Sequence, residues 1–361
     1  MYRKWAEISK EYLAHNAKYC KSIMKPDCML MAVVKANAYG HGSVETSKIL
    51  LENGVNWLGV SSLGEGMILR ENGITAPILN LGAIPNENIE EAIENDITLA
   101  VFNFNEALFI NETLKNPTKV HIKLDTGMNR LGFYAKKDEK KVMQTVKEII
   151  EISKMKNIEI EGIFTHFWGE EYEECKEQFD NFQKVLGILA KNGINPKIKH
   201  CCNSNATFKF SEFHLDMCRV GKGLYGYYDP HVIPVMELKA IIVELKDVDP
   251  GEGIGYDHAY IAKLPMKIGI VPIGYADGYF RLLSGKASVC VNGEIVPVVG
   301  NVCMDMLMID VTDLKQSPKI GDEVKLYGRE GVTVEMVGEW SGIMYREVLC
   351  AVGRRVPRVF V

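Results

Sequence analysis

The sequence lacks the signals that usually point to a partner larger than a metabolite. No apolar run approaches the roughly 20 residues that a membrane-spanning helix needs, and the opening MYRKWAEISK has no apolar signal segment. There are nine cysteines, an odd number, and no CxxC pair among them. A disulfide framework and a zinc ribbon are therefore not indicated, no metal is expected, and reduced thiols in a cytoplasmic protein are the simplest reading. An excess of positive charge is also missing. The formal net charge is -5, which gives no electrostatic reason to expect nucleic acid or an anionic membrane surface. Repeats and low-complexity tracts are absent, and no GxGxxG follows the first apolar run.

What is present is a chain of 361 residues, 47% hydrophobic and 25% charged, enough for two domains or one large barrel plus a smaller unit. Residues 9–24 predict a helix with Ser9 as N-cap and Leu13, Asn16, Cys20 and Ile23 at helical spacing. Short apolar runs then alternate with helix-like segments: 29–34, 57–62, 77–82, 97–102, 119–124, 158–167, 197–203 and 217–220. The longest intervening helices are expected over 139–155 and 170–193. Such alternation implies a parallel sheet covered by helices, and eight units favour a closed (β/α)8 barrel over an open doubly wound sheet. Beyond Tyr228–Pro230 the texture changes to short strand-like segments separated by Gly, Pro, Asp and Asn turns, with EMVGEWSG the best remaining helix. The expected class is α/β: a (β/α)8 barrel over 9–231, followed by a mostly β domain over 232–361 that includes residues 1–8.

Active residues of such barrels come from the C-terminal ends of the strands. Here those ends carry Lys35, then Lys123, Asp125 and Arg130, then Thr165–His166, Asn203–Ser204 and Arg219–Val220–Gly221. A lysine closing an apolar strand either snorkels to the surface or is buried. Burial lowers its pKa and makes the amine nucleophilic toward an aldehyde. Ser204 and Gly221 offer a hydroxyl and exposed backbone N–H groups, which suit a phosphate.

The segments AVVKANAYGHG, LDTGMNRLGF, THF, NSNA, RVGKGLYG, GIGYDHAY, PIGYADGY and NVCMDMLMIDV, in this order, resemble the alanine racemases. The resemblance runs from about residue 4 to 358. It implies pyridoxal 5'-phosphate as cofactor, held by Lys35 as a Schiff base, with Tyr39, Asn203, Ser204, Gly221 and Lys222 around it. It implies that Arg219 faces the pyridine nitrogen and that Tyr256 is a second catalytic base, tuned through His166 and Arg219. An always-charged guanidinium does not readily give up a proton, so the ring nitrogen stays unprotonated. Arg130, Tyr275, Met304 (through its backbone N–H) and Asp305 are implied for the substrate. Lys123 resembles a lysine that is carbamylated in many members, and here it is either modified or plain. The implied assembly is a head-to-tail homodimer whose β domain completes the partner's site.

This sequence departs from the family pattern in two places. WGEEYEEC follows THF in place of the usual acid-containing continuation. Arg354 stands two residues before VPR, where several members have tyrosine, and pairs with the phosphate or points to solvent. The implied activity is interconversion of L- and D-alanine for cell-wall synthesis. A serine or broad-specificity racemase is the alternative, because packing alone excludes an added hydroxyl weakly. A pyridoxal-phosphate decarboxylase fits less well, since its glycine-triplet phosphate loop is missing. A non-enzymatic cofactor carrier would lack the β domain.

Overall fold

The computed structural model describes residues 2–361 and divides into two compact units. One comprises Leu13–Ala38 and Ser43–Val232. The other takes in the chain up to Tyr12, the short excursion Tyr39–Gly42, and Ile233–Val361.

The first unit is the barrel. Its strands are Met29–Val33, Trp57–Val60, Ile78–Asn80, Ile97–Val101, Thr118–Asp125, Ile158–Phe164, Ile198–His200 and Met217–Val220. They pair in parallel in chain order, with the last strand beside the first. Between the seventh and eighth strands, Asp216 N–H donates to Lys199 O at 3.0 Å and Arg219 N–H to Cys202 O at 3.1 Å. The barrel is thus nearly closed, as the eight apolar runs predict. Inward positions alternate along each strand and form a core of Met31, Trp57, Leu79, Ala100, Phe102, Phe164, Ile198 and Met217. Gly162 is required here, because a Cβ on it would lie 2.4 Å from the His121 ring.

Helices cover the barrel where the 3.6-residue periodicity places them. Lys10–Ser22 opens with Tyr12 N–H donating to Ser9 Oγ at 3.3 Å. Glu139–Ser153 buries Val142, Val146, Ile149 and Ile152 on one face, and Asp138 caps it. Tyr172–Lys191 buries Phe182, Val185 and Leu189 and starts at a capping box of Glu171 and Glu174. No helix of the described residues is long and apolar enough to cross a membrane.

The second unit is mostly β. Its nine-stranded sheet runs Glu244–Val248, Met266–Val271, Leu307–Asp310, Glu294–Val299, Ser288–Val291, Glu323–Tyr327, Met236–Ile241, Lys4–Ile8 and Arg358–Phe360. The N-terminal strand pairs antiparallel with Met236–Ile241 and parallel with Arg358–Phe360, so both chain ends enter one sheet. A cluster of Val248, Ile254, Ala262, Met266, Ile268, Val299 and Met308 forms one core. Buried Glu237 is compensated by Lys239 at 3.2 Å and by Lys325 and Arg329, each at 3.3 Å. Val334–Ser341 is the helix expected from EMVGEWSG, and Tyr345–Cys350 is a further short helix beyond it.

Candidate active site

Lys35 follows the first barrel strand and is half-buried. The chain after it is unusual: Ala36, Asn37, Ala38 and Tyr39 all have φ between 52 and 55°. This is one turn of left-handed helix, which costs roughly 1–2 kcal/mol per non-glycine residue. Side chains in the barrel unit hold its start. Ala36 N–H donates to Glu65 Oε1 at 2.6 Å, and the other oxygen of Glu65 accepts from Ser61 N–H at 2.8 Å. Asn37 Oδ1 accepts from Ser43 N–H at 2.8 Å. The turn redirects the chain immediately after the lysine. Tyr39 belongs to the β unit, beside Tyr345, Arg346 and Cys350, and burial pushes its phenol up to about 12. Gly40 is fixed by geometry, since its φ is +86° and a Cβ would lie 2.1 Å from Leu349 O.

Arg219 is the centre of the barrel-side constellation. It is 3% exposed, and Nη2 donates to Thr165 O at 2.7 Å and Cys201 O at 3.2 Å. Nη1 lies 2.9 Å from His200 Nδ1, and Nη2 lies 3.3 Å from His166 Nδ1. An arginine only donates, so both imidazole Nδ1 atoms are acceptors. The proton of His200 is then on Nε2, which lies 2.9 Å from His121 Nδ1 and donates to it. The proton of His121 is in turn on Nε2, 3.7 Å from Glu161 Oε2. A directed row of neutral imidazoles therefore runs from Glu161 up the barrel interior to the guanidinium. Burial first, and then neighbouring cations, hold His166 and His200 well below the usual imidazole range.

The cations that act on His166 are Arg219, Lys123, Arg130 and Lys35. Lys123 is 6% exposed and donates to Leu124 O at 2.7 Å. Its amine is pushed down to about 7 by burial, with Arg219 and Arg130 adding to the effect. The nearby acid, Asp125, is already engaged: it pairs with Lys136 at 2.8 Å and accepts from the N–H groups of Gly127 and Asn129. Arg219, Arg130 and Lys35 thus leave positive charge near His166 while Asp125 is already paired, which suits an anionic ligand.

Ser204 is buried, and its Oγ accepts from Gly221 N–H at 3.1 Å. Asn203 caps the short helix Ser204–Lys209 through Ala206 N–H at 3.1 Å. Lys222 is turned to the divergent loop, pairing with Glu170 at 3.1 Å while its amine sits 3.7 Å over the Tyr228 ring. That loop, WGEEYEEC, is therefore tied to the Ser204–Lys222 region. Glu170 O also accepts from Asn205 at 2.9 Å.

In the β unit, Tyr256 is 69% exposed on a tight turn whose carbonyl accepts from Asn301 at 3.1 Å. Gly255, Tyr256, Cys303, Met304, Asp305 and Met306 line an open cleft of about 440 Å3. Tyr275 N–H donates to Cys303 O at 3.1 Å, and Asp305 accepts from Arg355 at 2.6 Å. Arg354 is exposed.

Two family descriptions match almost the whole chain: alanine racemase, N-terminal domain, over residues 8–229, and alanine racemase, C-terminal domain, over residues 235–360. The chain belongs to the alanine racemase family. The alanine racemase of Methanococcus maripaludis is 42% identical, over 99% of this chain and 98% of that protein. The alanine racemase structure from Clostridium difficile superposes with a TM-score of 0.95 at 39% identity, covering 100% of this chain and 96% of that one. The alanine racemase from Bacillus anthracis with bound L-Ala-P gives a TM-score of 0.91 at 35% identity, covering 100% of this chain and 96% of that one. The activity is accordingly that of an isomerase interconverting L- and D-alanine, with a small amino acid as substrate, and the family implies a pyridoxal-phosphate cofactor.

Relative to other alanine racemase features, His121, His200, Glu65 and Glu161 are not evident from strand ends alone. The signal for the two histidines is period two: His121 shares a strand face with Lys123, and His200 shares one with Ile198 of the interior core. For Glu65 the signal is the S-x-x-E box Ser62–Glu65 at a helix start, but its bond to Ala36 N–H exists only through the left-handed turn.

Proposed function

We propose that this chain racemises alanine with pyridoxal phosphate held through Lys35, and that Lys35 and Tyr256 of the partner subunit exchange the α-proton on opposite faces. The observation that carries this reading is the set of Arg219, Arg130 and Lys35 acting on His166, with the nearby Asp125 already paired to Lys136. A cofactor bearing a phosphate and a phenolic oxygen, together with a substrate carboxylate, supplies the missing negative charge. The residues present fit that cofactor. Lys35 offers an amine, and Ser204 with the Gly221 backbone offers a polar cradle. Among the described residues, Arg219 Nη1 and Nη2 are engaged and Nε makes no hydrogen bond.

When bound, pyridoxal phosphate supplies an electron sink that acidifies the α-carbon. Arg219 keeps its protons because every imidazole aligned with it is neutral and accepting. That limits charge uptake by the ring and disfavours transamination and decarboxylation. Lys35 removes or returns the α-proton of the D-enantiomer at Nζ, and Tyr256 does so for the L-enantiomer at Oη. A free phenol near pKa 10 is a poor base, so Tyr256 needs a cationic, dehydrated setting such as the one around His166 and Arg219. Its exposure within one chain supports delivery into a partner's site in a head-to-tail homodimer.

Arg130 orients the substrate carboxylate or the cofactor phenolic oxygen, and Lys123, once carbamylated, orients Arg130. Tyr275, Met304 through its N–H, and Asp305 shape the substrate entrance. Tyr39, Asn203 and Lys222 complete the cofactor surroundings. The β unit thus serves the partner's site, and the barrel unit, Leu13–Ala38 with Ser43–Val232, holds the cofactor lysine. The product D-alanine serves cell-wall synthesis, and nine free cysteines suit a reducing cytoplasm.

Borohydride reduction of the cofactor-loaded protein followed by peptide mapping tests the lysine assignment. The label is expected on the peptide containing Lys35 and is expected to vanish in Lys35→Ala. A label that persists on another lysine in that variant would overturn the assignment.

A further inference from the structure

Behind the barrel wall lies a group of thiols that the racemase chemistry does not use. Cys218 sits between Met217, which joins the interior core, and Arg219, which reaches Thr165 and His200, so its side chain points to the outer face. Cys202 follows the seventh strand, and His214 lies just before the eighth, after the turn Ser211–Phe213. One ligand atom from each of Cys202, His214 and Cys218 falls within 4.8 Å of the others, and all three residues are buried. Cys28, also buried, places its Sγ 3.6 Å from Cys218 Sγ.

His214 is the telling member. Its Nε2 lies 2.9 Å from Thr207 O, and a carbonyl only accepts, so the ring proton is on Nε2. Nδ1 then carries the lone pair. It is buried, on a residue 2% exposed, faces the Cys218 thiol, and has no hydrogen bond of ordinary geometry among the described residues. An unsatisfied buried acceptor costs about 1–3 kcal/mol. A ring nitrogen held by a backbone carbonyl with its other nitrogen turned to thiols is the arrangement of a metal-ligating histidine. The three ligand atoms, all within 4.8 Å of one another, are close enough to share one ion. With Zn–S near 2.3 Å, a tetrahedral site has an S···S edge of about 3.8 Å.

We propose that Cys202, His214 and Cys218 form a site for a thiophilic cation, Zn2+ above all, with Cys28 lying beside Cys218 outside the group. All three ligands are buried, which marks a structural role. On binding, the thiols of Cys202 and Cys218 each lose a proton to solvent and bond to the metal as thiolates, and His214 donates the Nδ1 lone pair. The site ties the ends of the seventh and eighth strands together at the segment carrying Ser204 and Arg219. The ligands are spread over positions 202, 214 and 218, with no CxxC to mark them.

The test uses the full chain, stripped of metal by a chelator and titrated with Zn2+ and Co2+ without added pyridoxal phosphate, so that failure here is separable from failure of the racemase reading. One metal per chain by mass spectrometry is expected, with thiolate-to-cobalt charge-transfer absorbance. Cys218→Ser should abolish that absorbance, and His214→Gln should weaken binding tenfold or more. Cys290→Ser, in the β unit, should change nothing. Circular dichroism confirms that each variant is folded, and Cys202→Ala replaces Cys218→Ser if the latter is not. Wild-type protein with far less than one metal per chain and no charge-transfer band would overturn the site, as would full binding retained in Cys218→Ser or Cys202→Ala.

Discussion

Replacing Lys123 with methionine keeps a long apolar stem and removes the amine, which isolates what that amine does. With its pKa pushed down to about 7, about half of the Lys123 amines are neutral at neutral pH. An ordinary lysine near 10.4 is neutral in only roughly one molecule in three thousand there. Only the neutral amine attacks carbon dioxide; the new N–C bond forms a carbamate and one proton is released. The buried position thus raises the reactive fraction by about a thousandfold.

The same shift has a stability consequence. A lysine whose folded pKa is lowered is penalised in the charged form. The penalty is full below the folded value of about 7 and fades as pH rises toward the unfolded value. Its size is on the order of 5 kcal/mol for a group this buried. Without bicarbonate, Lys123→Met should therefore melt above the wild type near pH 6, with the gap closing toward about pH 10. In 13C-labelled bicarbonate at about pH 8, the wild type should show a carbamate resonance that the variant lacks. Turnover of the variant should fall because Arg130 loses its orienting carboxylate, and small carboxylic acids should restore part of it. A variant that melts below the wild type near pH 6, together with no carbamate resonance, would refute the reasoning.

Glu65→Ala should remove the anchor of the left-handed turn after Lys35 and cost about 1–2 kcal/mol of thermal stability, the value of partly exposed charge-assisted hydrogen bonds. Cofactor affinity should fall with it, and Glu65→Gln should recover part of both; an unchanged cofactor dissociation constant in Glu65→Ala would argue against a positioning role. With Arg354 exposed instead of a tyrosine beside the substrate, alanine should remain preferred with measurable serine turnover. A kcat/KM for serine above that for alanine would make serine the substrate.

Much of the barrel is legible because parallel strands buried on both faces read as apolar runs, and each of the eight runs coincides with a strand. Lys35, Arg219 and Ser204 follow from their places at strand ends. The left-handed turn is not legible, since Ala36, Ala38 and Tyr39 have no intrinsic preference for positive φ; neighbours such as Glu65 impose it. The same applies to Tyr39, whose membership of the β unit depends on that turn. The short helix Tyr345–Cys350 is too brief to show a periodicity. The pairing of Lys222 with Glu170 needs the loop to be folded back, which sequence spacing does not reveal.

The central claim, two bases from two chains in one site, is tested most directly by mixing. Lys35→Ala and Tyr256→Phe homodimers should each be nearly inactive, since a positioned base contributes about 10²–10⁴ in rate. After subunit exchange, half of the chains are expected to sit in heterodimers under random pairing. Each heterodimer holds one site with both Lys35 and Tyr256, so alanine racemisation should return to about a quarter of the wild-type rate. Confirmed exchange with no return of activity would contradict the account.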